Sequence, residues 1–240
     1  MTLMLQEVAI VVVAGNNAPG ALHIDFLRAR GIVDGDWQLV PNTAAISSDM
    51  VSQVRFTNGL TITSVPDRIT VALTVDPAIN TDPRAYATLV AGVAERYIGA
   101  LGFLQLSALG INLVAVEPLT GPQSPTAFLS ERFIADGPWK SLRGAEVRPS
   151  VRFAYAWPTG GVLTVALDDG LWQAQAQAAP SPVVVINANL HRDLLTLGSG
   201  QVSAANATTV APIIANAADD VCEVLRVASN DLLSPQVAAR

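Results

Sequence analysis

The Asn58-Gly59 pair constrains the fold of this chain more than any other local feature, because it lies between two segments that favour strands. Val54-Arg55-Phe56 precedes the pair, and Leu60-Thr61-Ile62-Thr63 follows it. Asn-Gly readily adopts the positive φ angles of a tight primed turn. The two segments are therefore predicted to pair as an antiparallel hairpin.

Further strands are expected along most of the chain. Short segments rich in Val and Ile, bounded by Gly, Pro, Asn or Asp, are typical of strands. Outside the hairpin they cover 7–14, 21–28, 68–75, 104–116, 146–157, 161–168 and 182–191. The regular strand–helix alternation of a parallel sheet is absent. The sequence therefore predicts an α+β fold, in which two long helices pack against a curved, mostly antiparallel sheet.

The two long helices are predicted from apolar residues at three- and four-residue spacing. The first covers about 83–101, where Asp82 can cap the start, Pro83 suits the first helical position and Gly102 can end the helix. The second covers about 209–232, with Pro212 expected in its first turn. A shorter helix is expected at about 126–135.

The length of 240 residues fits one large domain or two fused half-domains. We expect a single α+β domain over 1–240, with possible halves 1–117 and 126–240 joined by the Pro/Gly-rich loop 118–125. Short motifs recur between these halves. Val54-Arg55-Phe56 returns as Val151-Arg152-Phe153, Thr70-Val71-Ala72-Leu73 as Thr164-Val165-Ala166-Leu167, and Ile111-Asn112 as Ile186-Asn187. The unequal spacings leave two explanations open, a true duplication and the chance repetition of strand-forming residues.

Composition limits the classes of partner. The net charge is −6 and the 14 Lys and Arg residues are scattered, so no basic stripe is available for nucleic acid. The apolar run at 8–14 is shorter than the ~20 residues of a membrane-spanning helix and lacks the basic flank of a signal peptide. Cys222 is the only cysteine, which excludes a disulfide within this chain. We therefore expect a cytoplasmic protein without membrane or nucleic-acid partners.

The chain is also poor in charge, with 14% charged residues against a usual share of about 25%. Surfaces of this kind are often covered by another subunit, so self-association into a homo-oligomer is expected. No metal-ligand, nucleotide-loop or nucleophile-elbow motif occurs, and no cofactor is expected. The leading hypothesis is a non-enzymatic binding or assembly protein. The alternative is a small-molecule-binding protein or enzyme.

The segment 183–193 is the first candidate site for that alternative. Side chains alternate between the two faces of a strand. Asn187, Asn189, His191 and Asp193 then share one face, and His191 could act as a general base or a ligand. The same ladder would equally suit a solvent-facing strand or a polar seam between subunits.

A second candidate uses Arg148 and Arg152, which flank Ser150 at alternate positions. Two guanidinium groups on one face could hold a small anionic ligand such as a carboxylate or phosphate. If this strand lies near 183–193, Arg152 and His191 would share a pocket. An exposed strand face is the alternative explanation.

The remaining candidates favour structural roles. His23 and Asp25 share a predicted strand face without the spacing of a metal site. Asp168-Asp169-Gly170 is typical of a hairpin turn. Cys222 lies in the middle of a predicted helix, away from the helix N-terminus that activates cysteines, so packing is expected.

The order of several motifs resembles a sporadically distributed family of bacterial proteins of about this length. The shared features are an early apolar strand, the hairpin from Val54 to Ile62, Asp-Arg-Ile at 67–69, and a Tyr-containing helix at 86–97. Gly-Ile-Asn at 110–112, Asn-x-Asn-x-His at 187–191 and a closing helix complete the set. The family has no established activity, so the resemblance implies a bacterial origin and assigns no catalytic residue.

Overall fold

The computed structural model describes residues 3–41, 45–76, 82–119, 123–173, 179–198, 201–203 and 205–234. The strands are β1 Met4–Ala14, β2 Ala45–Ser47, β3 Ser52–Arg55, β4 Leu60–Val65, β5 Arg68–Thr74, β6 Leu106–Pro118, β7 Ser141–Leu142, β8 Ala145–Glu146, β9 Val151–Ala156, β10 Val162–Trp172, β11 Ser181–Asp193, β12 Thr196–Gly198 and β13 Gln201–Ser203. The α-helices are α1 Ile24–Ala29, α2 Pro83–Ala100, α3 Pro125–Phe133, α4 Ala207–Ala215 and α5 Ala217–Arg226. Short 3₁₀ turns cover Pro19–Ala21 and Pro138–Lys140, and a π-helical segment covers Val227–Leu233.

Nine strands form one antiparallel sheet, in the order β2-β3-β4-β5-β1-β6-β11-β10-β9. The sheet is not closed, because β2 and β9 form its two edges. The pairs β12–β13 and β7–β8 are separate two-stranded hairpins. This architecture confirms the predicted α+β class with a curved antiparallel sheet.

The helices pack against one face of this sheet. Val8 and Ile10 of β1, Ile111 of β6 and Leu190 of β11 project to that face and are at most 2% exposed. They form one core with the buried side of α2, where Val93 and Tyr97 are fully buried. The alternate residues of the same strands form the opposite face, on which no described helix packs. We call this the uncovered face.

The N-terminus of α2 follows the prediction closely. The Asp82 carboxylate accepts a hydrogen bond of 2.9 Å from the Arg84 amide, and Pro83 occupies the first helical position. The helix ends at Ala100 with Leu101 as its C-cap, one residue before the expected Gly102. The Asp82 cap therefore determines the residue at which α2 begins.

The strand expected at 21–28 is wrong, because this segment forms a 3₁₀ turn followed by α1. His23 Nδ1 accepts a hydrogen bond of 3.2 Å from the Phe26 amide and caps the helix, and Asp25 lies in its first turn. The two side chains therefore do not share a strand face. Leu27 is buried from this helix into the core.

The hairpin at Asn58-Gly59 is confirmed, although its turn is of a different type. Gly59 has a φ of +89°, but Asn58 does not adopt a positive φ. The Gly59 amide donates to the Phe56 carbonyl, and the Phe56 amide donates to the Leu60 carbonyl. This pattern fits a three-residue loop that ends in a glycine bulge rather than a primed two-residue turn. A Cβ at Gly59 would lie 2.5 Å from the Thr74 carbonyl oxygen, so the close approach of β5 also requires glycine.

The single closing helix predicted at 209–232 is divided in the structure. It consists of α4, α5 and the π-helical segment, and Asn216 is the junction between α4 and α5. Pro212 lies inside α4 rather than in its first turn. A proline there lacks the amide that continues the hydrogen-bond ladder. α4 ends at its C-cap Asn216, whose amide still donates to the Pro212 carbonyl.

The order of elements repeats within the chain. The series β1, α1, β3, β4, β5, α2 is followed by β6, α3, β9, β10, β11 and the closing helices. In space the two sets run β3-β4-β5-β1 and β6-β11-β10-β9, mirrored about the central β1–β6 pair. The repeat therefore divides between Ala100 and Leu106. The Pro/Gly-rich loop 118–125 lies between β6 and α3, within the second set of elements, and the expected halves 1–117 and 126–240 stay a prediction.

Strand register identifies the equivalent positions of the two units. In the second unit Arg152 pairs with Ala166, and the same row continues through Asn187 and Val114 to Glu7. The matching row of the first unit contains Arg55, Thr61, Ala72, Ala9 and Asn112. Val54-Arg55-Phe56 and Val151-Arg152-Phe153 thus occupy equivalent strands, whereas the other two recurring motifs do not.

Candidate functional site

A concavity of about 470 Å³ lies on the uncovered face, and we call it the sheet cleft. Its walls come from five adjacent strands of the second half of the sheet. The lining residues are Glu7, Asn112, Leu113, Val114, Arg152, Thr164, Ala166, Asn187, Ala188 and Asn189. The volume falls in the usual range for small-molecule sites, about 300–1,000 Å³. Short side chains such as Ala166 and Thr164 leave this space open.

Two asparagines form a joined pair in the sheet cleft. Asn112 of β6 and Asn189 of β11 are directly opposite in register, and Asn189 Nδ2 donates to Asn112 Oδ1. Each amide carries both a donor and an acceptor group. Among the described residues this is the one side-chain bond that either makes, so the Asn112 amide N–H groups and the Asn189 carbonyl can meet a ligand. Asn187 adds a third, exposed amide on the same face.

The two charged groups of the sheet cleft stand apart from each other. Arg152 and Glu7 occupy the two ends of one register row, with Ala166, Asn187 and Val114 between them. Neither side chain makes an ion pair or side-chain hydrogen bond to another described residue. The cleft therefore presents an available guanidinium at one end and an available carboxylate at the other.

The structure brings together only part of the predicted site. Arg152, Asn187 and Asn189 share the sheet cleft, whereas the alternative hypothesis placed His191 in the same pocket as Arg152. His191 does not line it; its Nε2 lies 3.2 Å from Asp193 Oδ1 near the end of β11. Arg148 precedes β9 and pairs with Asp169 Oδ2 at 2.5 Å, so it does not join Arg152.

One end of the uncovered face is occupied by the end of the β10–β11 pair where Trp172 lies opposite Ser181. The Trp172 indole nitrogen donates a hydrogen bond of 3.2 Å to Gln6 Oε1, across the strands between them. Val116 and Val183 belong to this face but are only 5% and 0% exposed. This end of the uncovered face is therefore apolar and buried, and its residues are not among those that line the sheet cleft.

The predicted turn at Asp168-Asp169-Gly170 is wrong, because these residues continue β10. Asp169 accepts hydrogen bonds from Thr126 of α3 and from Arg148, so it ties the helix to the edge of the sheet. Gly170 provides the space that the Val185 side chain fills, since a Cβ there would lie 2.4 Å from Val185 Cγ2. The local sequence favours a turn at these residues, but contacts with α3 keep them in the strand.

The chemistry of the other candidate residues is limited. Within the described residues no group of three or more His, Cys, Asp or Glu side chains is placed to hold a metal ion. Burial raises the pKa of the Cys222 thiol, and the neighbouring Arg84 offsets only part of this rise. A raised pKa lowers the thiolate fraction, which agrees with the packing role expected for this cysteine.

A buried ion pair between the sheet and α5 was missed from the sequence. Arg192 of β11 donates to Asp220 Oδ2 at 2.7 Å, and the two side chains are 6% and 4% exposed. Asp220 also accepts hydrogen bonds from the Trp157 indole and the Thr159 hydroxyl. The sequence offered one signal for this pair. Alternation along the strand places Arg192 on the face opposite to His191, among the apolar residues that pack under the helices. This network fastens α5 to the β9–β10 turn.

A second buried polar cluster lies under the first unit. Asn17 Nδ2 donates to the Ser64 hydroxyl at 2.7 Å and to the Val65 carbonyl at 2.6 Å. The Tyr97 hydroxyl lies near Ser64 without a hydrogen bond of ordinary geometry to a described residue. Burial raises the pKa of Tyr97 to about 12, and Ser64 offsets only part of that rise. These hydrogen bonds join the segment after β1 to the end of β4, so we assign the cluster a role in stability.

A larger groove of about 800 Å³ lies between α2 and α4. It is wide open, and small side chains such as Gly99, Ala211 and Ala215 line much of it. Its guanidinium is already engaged, because Arg96 donates two hydrogen bonds to the Ile32 carbonyl. We therefore place the candidate site in the sheet cleft, where free polar groups converge.

The fold and the cleft together define an α+β protein with a one-sided antiparallel sheet and a polar concavity on its uncovered face. Comparison of the chain with protein-family models, curated proteins and solved structures finds no match. None of the helices in the described part of the chain is long and apolar enough to cross a membrane.

Proposed function

We propose that this protein is a non-enzymatic binding protein of the bacterial cytoplasm, and that it holds a small ligand with an anionic group in the sheet cleft. The observation that carries this proposal is the Arg152 guanidinium, which pairs with no described side chain and lines the same cleft as the Asn187 amide and the Asn112–Asn189 pair. Arginine presents a planar fork of donors that matches a carboxylate or a phosphate. The bacterial and cytoplasmic parts rest on the family resemblance and on the composition of the chain.

Binding is favoured over catalysis by the groups that line the sheet cleft. Its ionisable lining residues are one carboxylate, Glu7, and one guanidinium, Arg152, which lie four strands apart. General acid–base or nucleophilic catalysis needs such groups within hydrogen-bond reach of one reacting centre. His191, the predicted base, lies outside the cleft beside Asp193.

Replacement of Arg152 by alanine tests the proposal, and the equivalent Arg55→Ala is its matched control. Propionate and inorganic phosphate, titrated at constant ionic strength, should bind the wild type and Arg55→Ala alike. Arg152→Ala should weaken binding roughly tenfold to a hundredfold, because a hydrogen bond to a charged group contributes about 1.5–3 kcal/mol. Isothermal titration calorimetry measures the dissociation constants. Equal weakening by both substitutions would show a general charge effect and contradict the assignment.

Self-association is a second proposed function, and it uses the outer edge of β9, the strand that also carries Arg152. β9 ends the sheet, and no described strand pairs with its outer side. Its sequence, Val-Arg-Phe-Ala-Tyr-Ala, carries a single charge and no proline. Edge strands without such protection are templates for pairing with another chain. We propose that two copies pair antiparallel through β9 and so extend the sheet.

The β9 contact predicts a homodimer that a charge on this edge disrupts. Ala154→Lys places two new positive charges near each other, beside Arg152, and should weaken dimerisation at least about tenfold. Ser47→Lys adds the same charge at the other edge, on β2, and should leave the dimer intact. Light scattering coupled to size-exclusion chromatography measures the mass. A wild-type protein that stays monomeric at high micromolar concentration would refute this contact.

A further inference from the structure

We infer that the sheet cleft recognises short zwitterionic peptides, with Glu7 facing the ammonium group, the Asn112–Asn189 pair facing an internal amide, and Arg152 facing the carboxylate. This inference rests on the proposed binding role of the cleft and names the class of ligand. It requires three chemical groups in one molecule, in the same order as the three groups that the protein presents along the sheet.

The two ends of the cleft select for opposite charges on the ligand. Glu7 and Arg152 line the same concavity but are held apart by three intervening strands, so they do not neutralise each other. A purely anionic ligand would satisfy Arg152 and leave the Glu7 carboxylate without a partner in the ligand. A ligand with an ammonium at one end and a carboxylate at the other satisfies both groups.

The Asn112–Asn189 pair lies on the two strands next to β1, in the register row adjacent to that of Glu7 and Arg152 on the same face, and it selects for an amide. The hydrogen bond between Asn189 and Asn112 leaves donor N–H groups on one side chain and an acceptor carbonyl on the other. A peptide unit carries one acceptor C=O and one donor N–H and can pair with both. This complementarity does not depend on which way each side-chain amide is turned, because either arrangement leaves a donor and an acceptor.

The span of the row sets the length of the peptide. Four strand-to-strand steps of about 4.8 Å place the Cα atoms of Glu7 and Arg152 about 19 Å apart along the sheet. Their side chains occupy part of this distance. An extended peptide advances about 3.3–3.6 Å per residue, so the remaining gap suits a chain of about two to four residues. Single amino acids would be too short to reach both ends.

Trialanine and its two blocked forms test the inference on the unmodified protein. Free trialanine should bind, and both N-acetyl-trialanine and trialanine amide should bind roughly tenfold or more weakly, because each has lost one charged contact. Binding is measured by isothermal titration calorimetry. Alanine itself should bind more weakly than trialanine, since it cannot span the row.

Variants assign each end of the ligand. N-acetylation should cost no further affinity in Glu7→Gln, and amidation should cost none in Arg152→Gln. Arg55→Gln, at the equivalent place in the first unit, should behave as the wild type. The ligand series does not depend on the folding of any variant, and melting curves show whether each variant is folded.

The outcomes separate this inference from the proposed function. If propionate binds in an Arg152-dependent manner but trialanine binds no better, the peptide inference is wrong and the anion site stands. If N-acetyl-trialanine binds as well as trialanine, Glu7 does not face an ammonium group and the inference is also wrong. If neither propionate nor trialanine binds, the inference and the proposed function fall together.

Discussion

Asp220→Ala should lower the free energy of unfolding by about 3–5 kcal/mol, because it leaves the buried Arg192 guanidinium without its counter-ion. The carboxylate accepts three hydrogen bonds, from Arg192, Trp157 and Thr159, at 2.7–3.0 Å. Removal of one partner of a buried pair exposes the full cost of burying the remaining charge. Urea unfolding followed by circular dichroism measures the change.

The neighbouring residue supplies the control for this experiment. Asp219 pairs with Arg84 at 2.6 Å, but both side chains are more than half exposed. Exposed pairs contribute about 0–1 kcal/mol, so Asp219→Ala should have little effect. The double substitution Arg192→Leu with Asp220→Leu should cost less than Asp220→Ala, since no unpaired charge remains. If the two aspartate substitutions had equal effects, the Arg192 network would have no special role.

Phe56→Ala should destabilise the protein by about 3–5 kcal/mol, the usual cost of removing a fully buried phenylalanine. Phe56 is 2% exposed and packs edge-on against Trp37, with ring centroids 5.5 Å apart. Loss of the ring leaves a cavity between the first unit of the sheet and the segment that carries Trp37. Denaturant unfolding monitored by tryptophan fluorescence reports this change.

Phe153→Ala is the matched variant in the second unit, because Phe153 occupies the position equivalent to Phe56. Phe153 packs edge-on against Phe133 at 5.4 Å but is only partly buried. Its removal should cost about 1–2 kcal/mol, since less apolar surface returns to water. A larger loss from Phe153→Ala than from Phe56→Ala would contradict this comparison of burial in the two units.

The sequence predicted the fold where local signals and tertiary packing agree. The Asp82 cap, the apolar stripe of α2 and the Asn58-Gly59 turn each act over a few residues, and each element formed where expected. The errors arose where contacts distant in sequence decide the outcome. Packing against α3 continues β10 through Asp169, and the segment at 24–29 becomes a helix that buries Leu27 against the core.

The candidate site could be predicted only along single strands. Alternation placed Asn187 and Asn189 on one face, and the structure has them there. The register between β11 and β6 brings Asn112 opposite Asn189, and that between β1 and β6 brings Glu7 opposite Val114, into the row of Asn187. Register depends on pairing across the whole sheet, so no local pattern could identify these two partners.

The repeated unit also bears on how this sheet can specialise. If the two units were separate identical chains, paired as β1 and β6 are here, every substitution would occur in both. Within a single chain each row changes alone: Arg55 and Arg152 are alike, but Ala72 stands where the second row has Asn187, and Asn112 stands where it has Glu7. Because both units belong to one chain, a substitution in one row leaves the equivalent row unchanged. One row can acquire new chemistry while the other keeps the scaffold in place.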